Sequence, residues 1–181
     1  GEPVKGGAWT APGELAGIRY VEFISQDPAG RARTDVANQW IRRMTKAIRE
    51  HDKNHMITVG IALGNGEDGH EIMGFTPAKI APELDYISVH LYAQGGKVDA
   101  AIELLKKCKV PGKPLIIEEM FPLACSVEEF REFVERSRGI ADGWIGFFWG
   151  QTPDELRAED PIKNHGLLSW LQFFQDMHPN R

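Results

Sequence analysis

The sequence predicts an α/β protein built on parallel β/α units. Three observations carry that expectation. Segments of helical periodicity alternate with short β-branched runs through most of the chain. Helix-start signals, Thr76-Pro77 and Ser126-Val127-Glu128-Glu129, fall between successive strand-like runs. No internal repeat or low-complexity linker divides the 181 residues, so positions 1–181 are read as a single domain.

The elements follow in order. Asp35 to His51 places Val36, Trp40, Ile41, Met44, Ala47 and Ile48 at helical spacing. His55 to Ile61 is a short β-branched run, hence a strand. Thr76 supplies an N-cap and Pro77 a first-turn proline for a short helix ending near Pro82. Asp85 to Tyr92 is the next strand. Val98 to Cys108 is a helix with its stripe at Ala101, Ile102, Leu104, Leu105 and Cys108. Lys113 to Glu119 is a strand, and the capping box at Ser126 opens a helix running through Arg138. Gly143 to Trp149 is the last strand, and Gly166 to Met177 a final helix stopped by Pro179. Gly6 to Arg33 and Gly64 to Gly74 are glycine-rich and loop-like, longer than ordinary connectors.

Composition excludes several classes of function. A net charge of −5 and a pI of about 5.7 recommend neither nucleic acid nor an anionic membrane as partner. No apolar run approaches a membrane span. Cys108 and Cys125 make neither a disulfide framework nor a zinc site, and their places at opposite ends of the strands speak against a bridge. No Gly-x-Gly-x-x-Gly or P-loop follows a strand, and the Gly64–Gly69 loop lacks EF-hand spacing, so no cofactor and no metal are expected.

In parallel α/β folds the strand C-termini form the site. Here they carry a histidine and a tyrosine (His90, Tyr92), a carboxylate pair (Glu118, Glu119) and a tryptophan (Trp149). Strand alternation puts Tyr86, Ser88, His90 and Tyr92 on one face, a polar row that suggests an open, solvated interior. The same alternation groups Leu115, Ile117 and Glu119 against Ile116 and Glu118. Glu119, furthest along its strand, is expected to point into the site and Glu118 toward the flanking helices. An exposed indole such as Trp149 suits the apolar C–H face of a sugar ring.

These residues resemble the C-terminal half of clan A glycoside hydrolases, especially the family 5 cellulases and mannanases. Asp85-Tyr-Ile-Ser-Val-His-Leu-Tyr92 is similar to their sixth strand, where a His-x-Tyr pair contacts the sugar and the nucleophile. Lys113-Pro-Leu-Ile-Ile-Glu-Glu-Met-Phe121 is similar to their seventh, with Glu119 matching the nucleophile, although Met120-Phe121 replaces an aromatic and a glycine. Gly143-Trp-Ile-Gly-Phe-Phe-Trp-Gly150 is similar to the eighth, whose terminal tryptophan, here Trp149, floors a sugar subsite, and Asn164-His-Gly-Leu-Leu168 resembles the turn into the last helix. Gly1-Glu2-Pro3 resembles the end of the Asn-Glu-Pro motif closing the fourth strand, which would make Glu2 the general acid/base, with Gly1 in place of the asparagine.

The resemblance implies the second half of a TIM-type (β/α)8 barrel, from the end of strand four to strand eight. It implies retaining hydrolysis of β-glycosidic bonds in a carbohydrate by Glu119 and Glu2, with His90, Tyr92, Trp149 and Trp9 binding the sugar. A complete barrel needs about 250 residues, so these 181 are expected to be half of one. Its exposed edges would pair in a homodimer, and without the missing strands it would be inactive alone. A secreted or periplasmic parent protein is the implied location. The competing reading is a non-catalytic carbohydrate-binding or scaffold half-barrel.

Overall fold

Four short strands rich in β-branched and aliphatic residues pair side by side in chain order. They are β3 (Gly60–Ala62), β4 (Ile87–His90), β5 (Leu115–Met120) and β6 (Gly143–Gly146), all parallel. The computed structural model describes residues 13–15, 18–20, 30–63 and 74–177. Glu2, Trp9 and the Gly64–Gly69 loop lie outside them. A separate antiparallel pair, β1 (Gly13–Leu15) and β2 (Ile18–Tyr20), falls within the glycine-rich opening that sequence alone marks as loop.

The helices alternate with the strands: α1 (Arg33–His51), α2 (Pro77–Ile80) running into a 3-10 turn at Ala81–Glu83, α3 (Val98–Lys107), α4 (Val127–Ser137), α5 (Pro153–Glu159) and α6 (His165–Asp176). Every parallel crossover steps one place in the same direction. With right-handed crossovers, that winding keeps all the helices on one face. Ile61, Ile87, Val89, Leu115 and Ile117, each at most 1% exposed, face that layer and share one core with Leu104, Leu105, Phe130, Phe133 and Val134. The opposite face is left for chemistry. This four-stranded sheet is compatible with half of a (β/α)8 barrel.

The lower ends of the strands are tied down by side chains bonding to backbone. Asp85 accepts from the Ile57 amide (2.6 Å) and pairs with Arg49 (2.5 Å), whose guanidinium also donates to the His55 carbonyl (2.6 Å). Lys113 donates to the Leu84 carbonyl (2.5 Å), and Asp142 accepts from the Leu115 amide (2.9 Å). These contacts satisfy backbone groups where each ladder begins, and so fix the register from below.

Several expectations change here. In α1 the buried row is Ala37, Ile41 and Thr45, while Trp40, Met44 and Ile48 remain 39–49% exposed. The apolar stripe is wider than the surface that covers it, and Trp40 leans on Phe75 at its margin (6.1 Å between ring centres). The last strand stops at Gly146 rather than Trp149, because the Phe148 amide turns back to the Gly146 carbonyl (2.9 Å). Helix α5 is additional. Its Thr152 and Glu155 form a capping box ahead of a first-turn proline, a signal hidden when the strand is run on to Trp149. Thr76 occupies the N-cap of α2 without a side-chain bond. Both cysteines are free, and burial pushes the Cys108 thiol up to about 11.

The capping box of α4 forms as expected and does more. Ser126 accepts from the Glu129 amide (3.1 Å), and Glu129 accepts from the Ser126 amide (2.9 Å). The second Glu129 oxygen accepts from the amide of Gly96 (2.6 Å), a residue at φ +69 in the preceding loop. Beside it the Gly95 amide donates to the Ala124 carbonyl (2.7 Å). The loops after β4 and β5 are therefore pinned together. The Gly96 amide first, and the Ser126 amide second, hold the Glu129 carboxyl below the usual carboxylate range. Its folded value lies below its unfolded one, so the pin is fully present above the usual range and lost as pH falls through the lowered value. The protection of the Gly96 and Ser126 amides against hydrogen exchange, taken relative to their intrinsic rates at each pH, should therefore fall on acidification, and in Glu129→Ala at neutral pH. Unchanged protection in the variant would show that the loops are held by other contacts.

Candidate active site

The site stands on one irregularity. Ile87, Ser88 and Val89 pair with Leu115, Ile116 and Ile117 one for one, but His90 pairs with Glu119, skipping Glu118. An extra residue in one strand breaks the period-two alternation of side chains. Leu115 and Ile117 are helix-facing core residues, so strict alternation would drive Glu119 into the helix layer. The bulge instead brings both glutamates to the open face, and Met120 is the next residue buried. The expectation that Glu118 points toward the helices is corrected by this register shift.

His90 lies between the two carboxylates. Its Nε2 is 3.1 Å from Oε1 of Glu118, and its Nδ1 is 3.3 Å from Oε2 of Glu119. The Tyr92 hydroxyl donates to Oε1 of Glu119. Burial first, and the Glu119 carboxylate second, push the Tyr92 phenol far above its ordinary range, so it remains a donor. Lower on the same face, burial and then the Glu118 charge raise the Tyr86 phenol. The side chains of His90, Glu118 and Glu119 are 29%, 23% and 24% exposed, sheltered enough for charge-assisted bonds to count yet open to a ligand. The base of this face is not solvated: Ser88 is fully buried, donating to the Val59 carbonyl (3.1 Å), and Thr58 donates to the Tyr86 carbonyl (2.9 Å).

Gly60 makes room for this arrangement. A Cβ there would lie 2.4 Å from Nε2 of His90 and 2.5 Å from Oε1 of Glu118. Glycine inside a strand often marks such a close approach, so this part of the site could have been sought in the sequence. Trp149 stands three residues past the end of β6 with its ring fully exposed, and Phe147 and Ile145 are also more than half exposed. The structure thus joins His90, Tyr92, Glu118 and Glu119, and leaves Trp149 as a free aromatic surface. Among the described residues, no group of three His, Cys, Asp or Glu is arranged to hold a metal, and no helix is long and apolar enough to cross a membrane.

Two curated relatives match the chain in part. Mannan endo-1,4-beta-mannosidase A of Aspergillus aculeatus is 28% identical over 145 residues, 67% of this chain and 38% of the relative. Mannan endo-1,4-beta-mannosidase F of Aspergillus clavatus is 32% identical over 102 residues, 48% of this chain and 23% of the relative. The similarity is to glycoside hydrolases. This chain spans less than two-fifths of the length of the mannosidases it matches. No family model and no solved structure matches.

A parallel sheet that ends in carboxylates, an imidazole and a phenol fits that kinship, because glycoside hydrolysis is carried by paired carboxyl groups at one reaction centre. The crowding at Gly60 makes a direct test. Gly60→Ala should separate His90 from Glu118 and cost about 1–3 kcal/mol of stability, as overpacking generally does. Urea unfolding and a structure of the variant check both parts. An unchanged midpoint with the imidazole–carboxylate contact intact would show that the strand has slack the geometry does not suggest.

Proposed function

We propose that this chain is the C-terminal half of a (β/α)8 retaining glycoside hydrolase acting on a β-linked mannan-type polysaccharide, with Glu119 as nucleophile. The observation that carries this reading is the convergence of Tyr92 and His90 on the two oxygens of Glu119, at the C-terminal ends of neighbouring parallel strands. The mannan specificity rests on the names of the two partial relatives.

In this reading the Tyr92 hydroxyl holds Oε1 of Glu119, leaving Oε2, with its longer contact to His90, to attack the anomeric carbon. Glu2, matched to the general acid/base by its Glu-Pro motif, protonates the leaving oxygen; retaining enzymes use two such carboxyl groups about 5–5.5 Å apart. The C–O bond to the leaving group breaks as the bond to Glu119 forms, giving a glycosyl ester. Having given its proton to the leaving group, Glu2 is a carboxylate; esterification has removed the Glu119 charge, so Glu2 stays ionised and can draw a proton from water. Water then attacks the anomeric carbon, and the Glu119 carboxylate leaves. His90 borders the sugar while contacting Glu119, and Trp149 offers its indole face to the ring above. Trp9 is assigned to the same sugar site by the resemblance alone. The remaining barrel strands lie outside the 181 residues and complete the wall around the sugar.

Incubating the complete gene product with a 2-deoxy-2-fluoro-mannoside bearing a good leaving group should trap a covalent adduct on Glu119, found by peptide mass mapping. Glu119→Gln should abolish the adduct and lower turnover of an aryl mannoside by roughly 10³-fold or more, as removal of a nucleophile does. A label on another residue would displace Glu119 from this role. Binding of manno-oligosaccharide with neither label nor turnover would favour the carbohydrate-binding reading instead.

A further inference from the structure

We propose that Glu118 is a positioning residue: by accepting from Nε2 of His90 it favours the doubly protonated ring, paired through Nε2–H with Glu118 and through Nδ1–H with Glu119. For its catalytic meaning this rests on the role given above to Glu119, but the contact stands on its own geometry. An ionised carboxylate can only accept hydrogen bonds. A ring nitrogen facing one satisfies it only by donating. His90 meets Glu118 at 3.1 Å through Nε2 and Glu119 at 3.3 Å through Nδ1. If Glu118 did not hold Nε2–H, the ring could keep only one proton, on either nitrogen, or turn over, and a bare lone pair could then face Glu119.

Three features make this a built contact. The bulge between Ile117 and Glu119 delivers Glu118 to the open face, where regular alternation would put only one of two successive glutamates. Gly60 leaves the space that the His90–Glu118 contact occupies, and any Cβ there would collide with both partners. Glu118 is also largely sheltered, with 23% of its side chain exposed, so solvent weakens the contact little. Among charged and titratable groups, Tyr86 lies near Glu118 and Tyr92 bonds Glu119; neither takes a nitrogen of the ring. Glu119 therefore has two supports, a phenol on one oxygen and an imidazole on the other, and Glu118 steadies the second.

Long-range 1H–15N correlation spectra of the uniformly 15N-labelled chain read the protonation of each imidazole nitrogen. Both ring nitrogens of His90 should carry a proton in the unaltered protein, and Glu118→Gln should change the His90 pattern while leaving the other five histidines unmoved. A bare nitrogen on that ring in the unaltered protein would overturn the proposal even if the variant did not fold, and so would superimposable His90 signals in a folded variant. In the complete gene product, Glu118→Gln should slow labelling of Glu119 by the fluoro-mannoside about tenfold to a hundredfold, the scale of one charge-assisted hydrogen bond. The loss should fall on the labelling rate constant and spare the reversible binding constant. A merely structural role would instead weaken both or neither. If the unaltered protein is never labelled, the glycosidase reading fails, and the ring spectra alone decide the positioning of His90.

Discussion

One displaced residue in β5 governs what this molecule can do. A parallel strand turns successive side chains to opposite faces, and two adjacent acids cannot ordinarily share a pocket. By pairing His90 with Glu119 and passing over Glu118, the sheet abandons that rule at the one place where two acids and an imidazole meet. Below the irregularity, Leu115 and Ile117 serve the helix layer with no exposure at all. Above it, both carboxylates serve the open face. The imidazole between them, the space over Gly60 and the phenol of Tyr92 all depend on that shift.

The sheet divides its labour along its own axis. At its lower end Asp85, Arg49, Lys113 and Asp142 bond to backbone and fix where each strand begins. At its upper end the acids, the imidazole and the phenol bond mainly to one another. Such a division lets the reactive end carry unfavourable proximity of like charges, because the register is secured elsewhere. It also matches a winding in which every helix packs on one face, leaving the other for a ligand.

Much of this was legible beforehand. The alternation of α3, β5 and α4 follows directly from periodicity, and the Ser126 box marks its helix to the residue. The polar row on β4 and the loaded strand ends pointed to the face on which His90, Tyr92, Glu118 and Glu119 meet. The choice between Glu118 and Glu119 was not settled by the same logic, because a bulge is a relation between two strands and neither strand records it alone. The α1 surface misled for a similar reason: Trp40, Met44 and Ile48 have the spacing of a core stripe, but only the neighbouring row meets the sheet. Helix α5 was visible in Thr152-Pro153-Asp154-Glu155 and was masked by extending an aromatic run as a strand. The β1–β2 pair is too short to announce itself within a glycine-rich segment.

Glu129 links two loops that differ entirely in sequence. Because one carboxylate bonds the backbone of both, neither loop can gain or lose a residue near Gly96 or Ser126 without disturbing the other. Tyr92 sits at the root of the first loop and Glu119 just before the second, so the anchor ties the segments that follow their contact. Remodelling the rim of the site for a different ligand is therefore a joint problem. Insertions grafted into one loop alone would pull on this anchor, whereas paired exchanges of both loops together keep it and leave Glu119 in place.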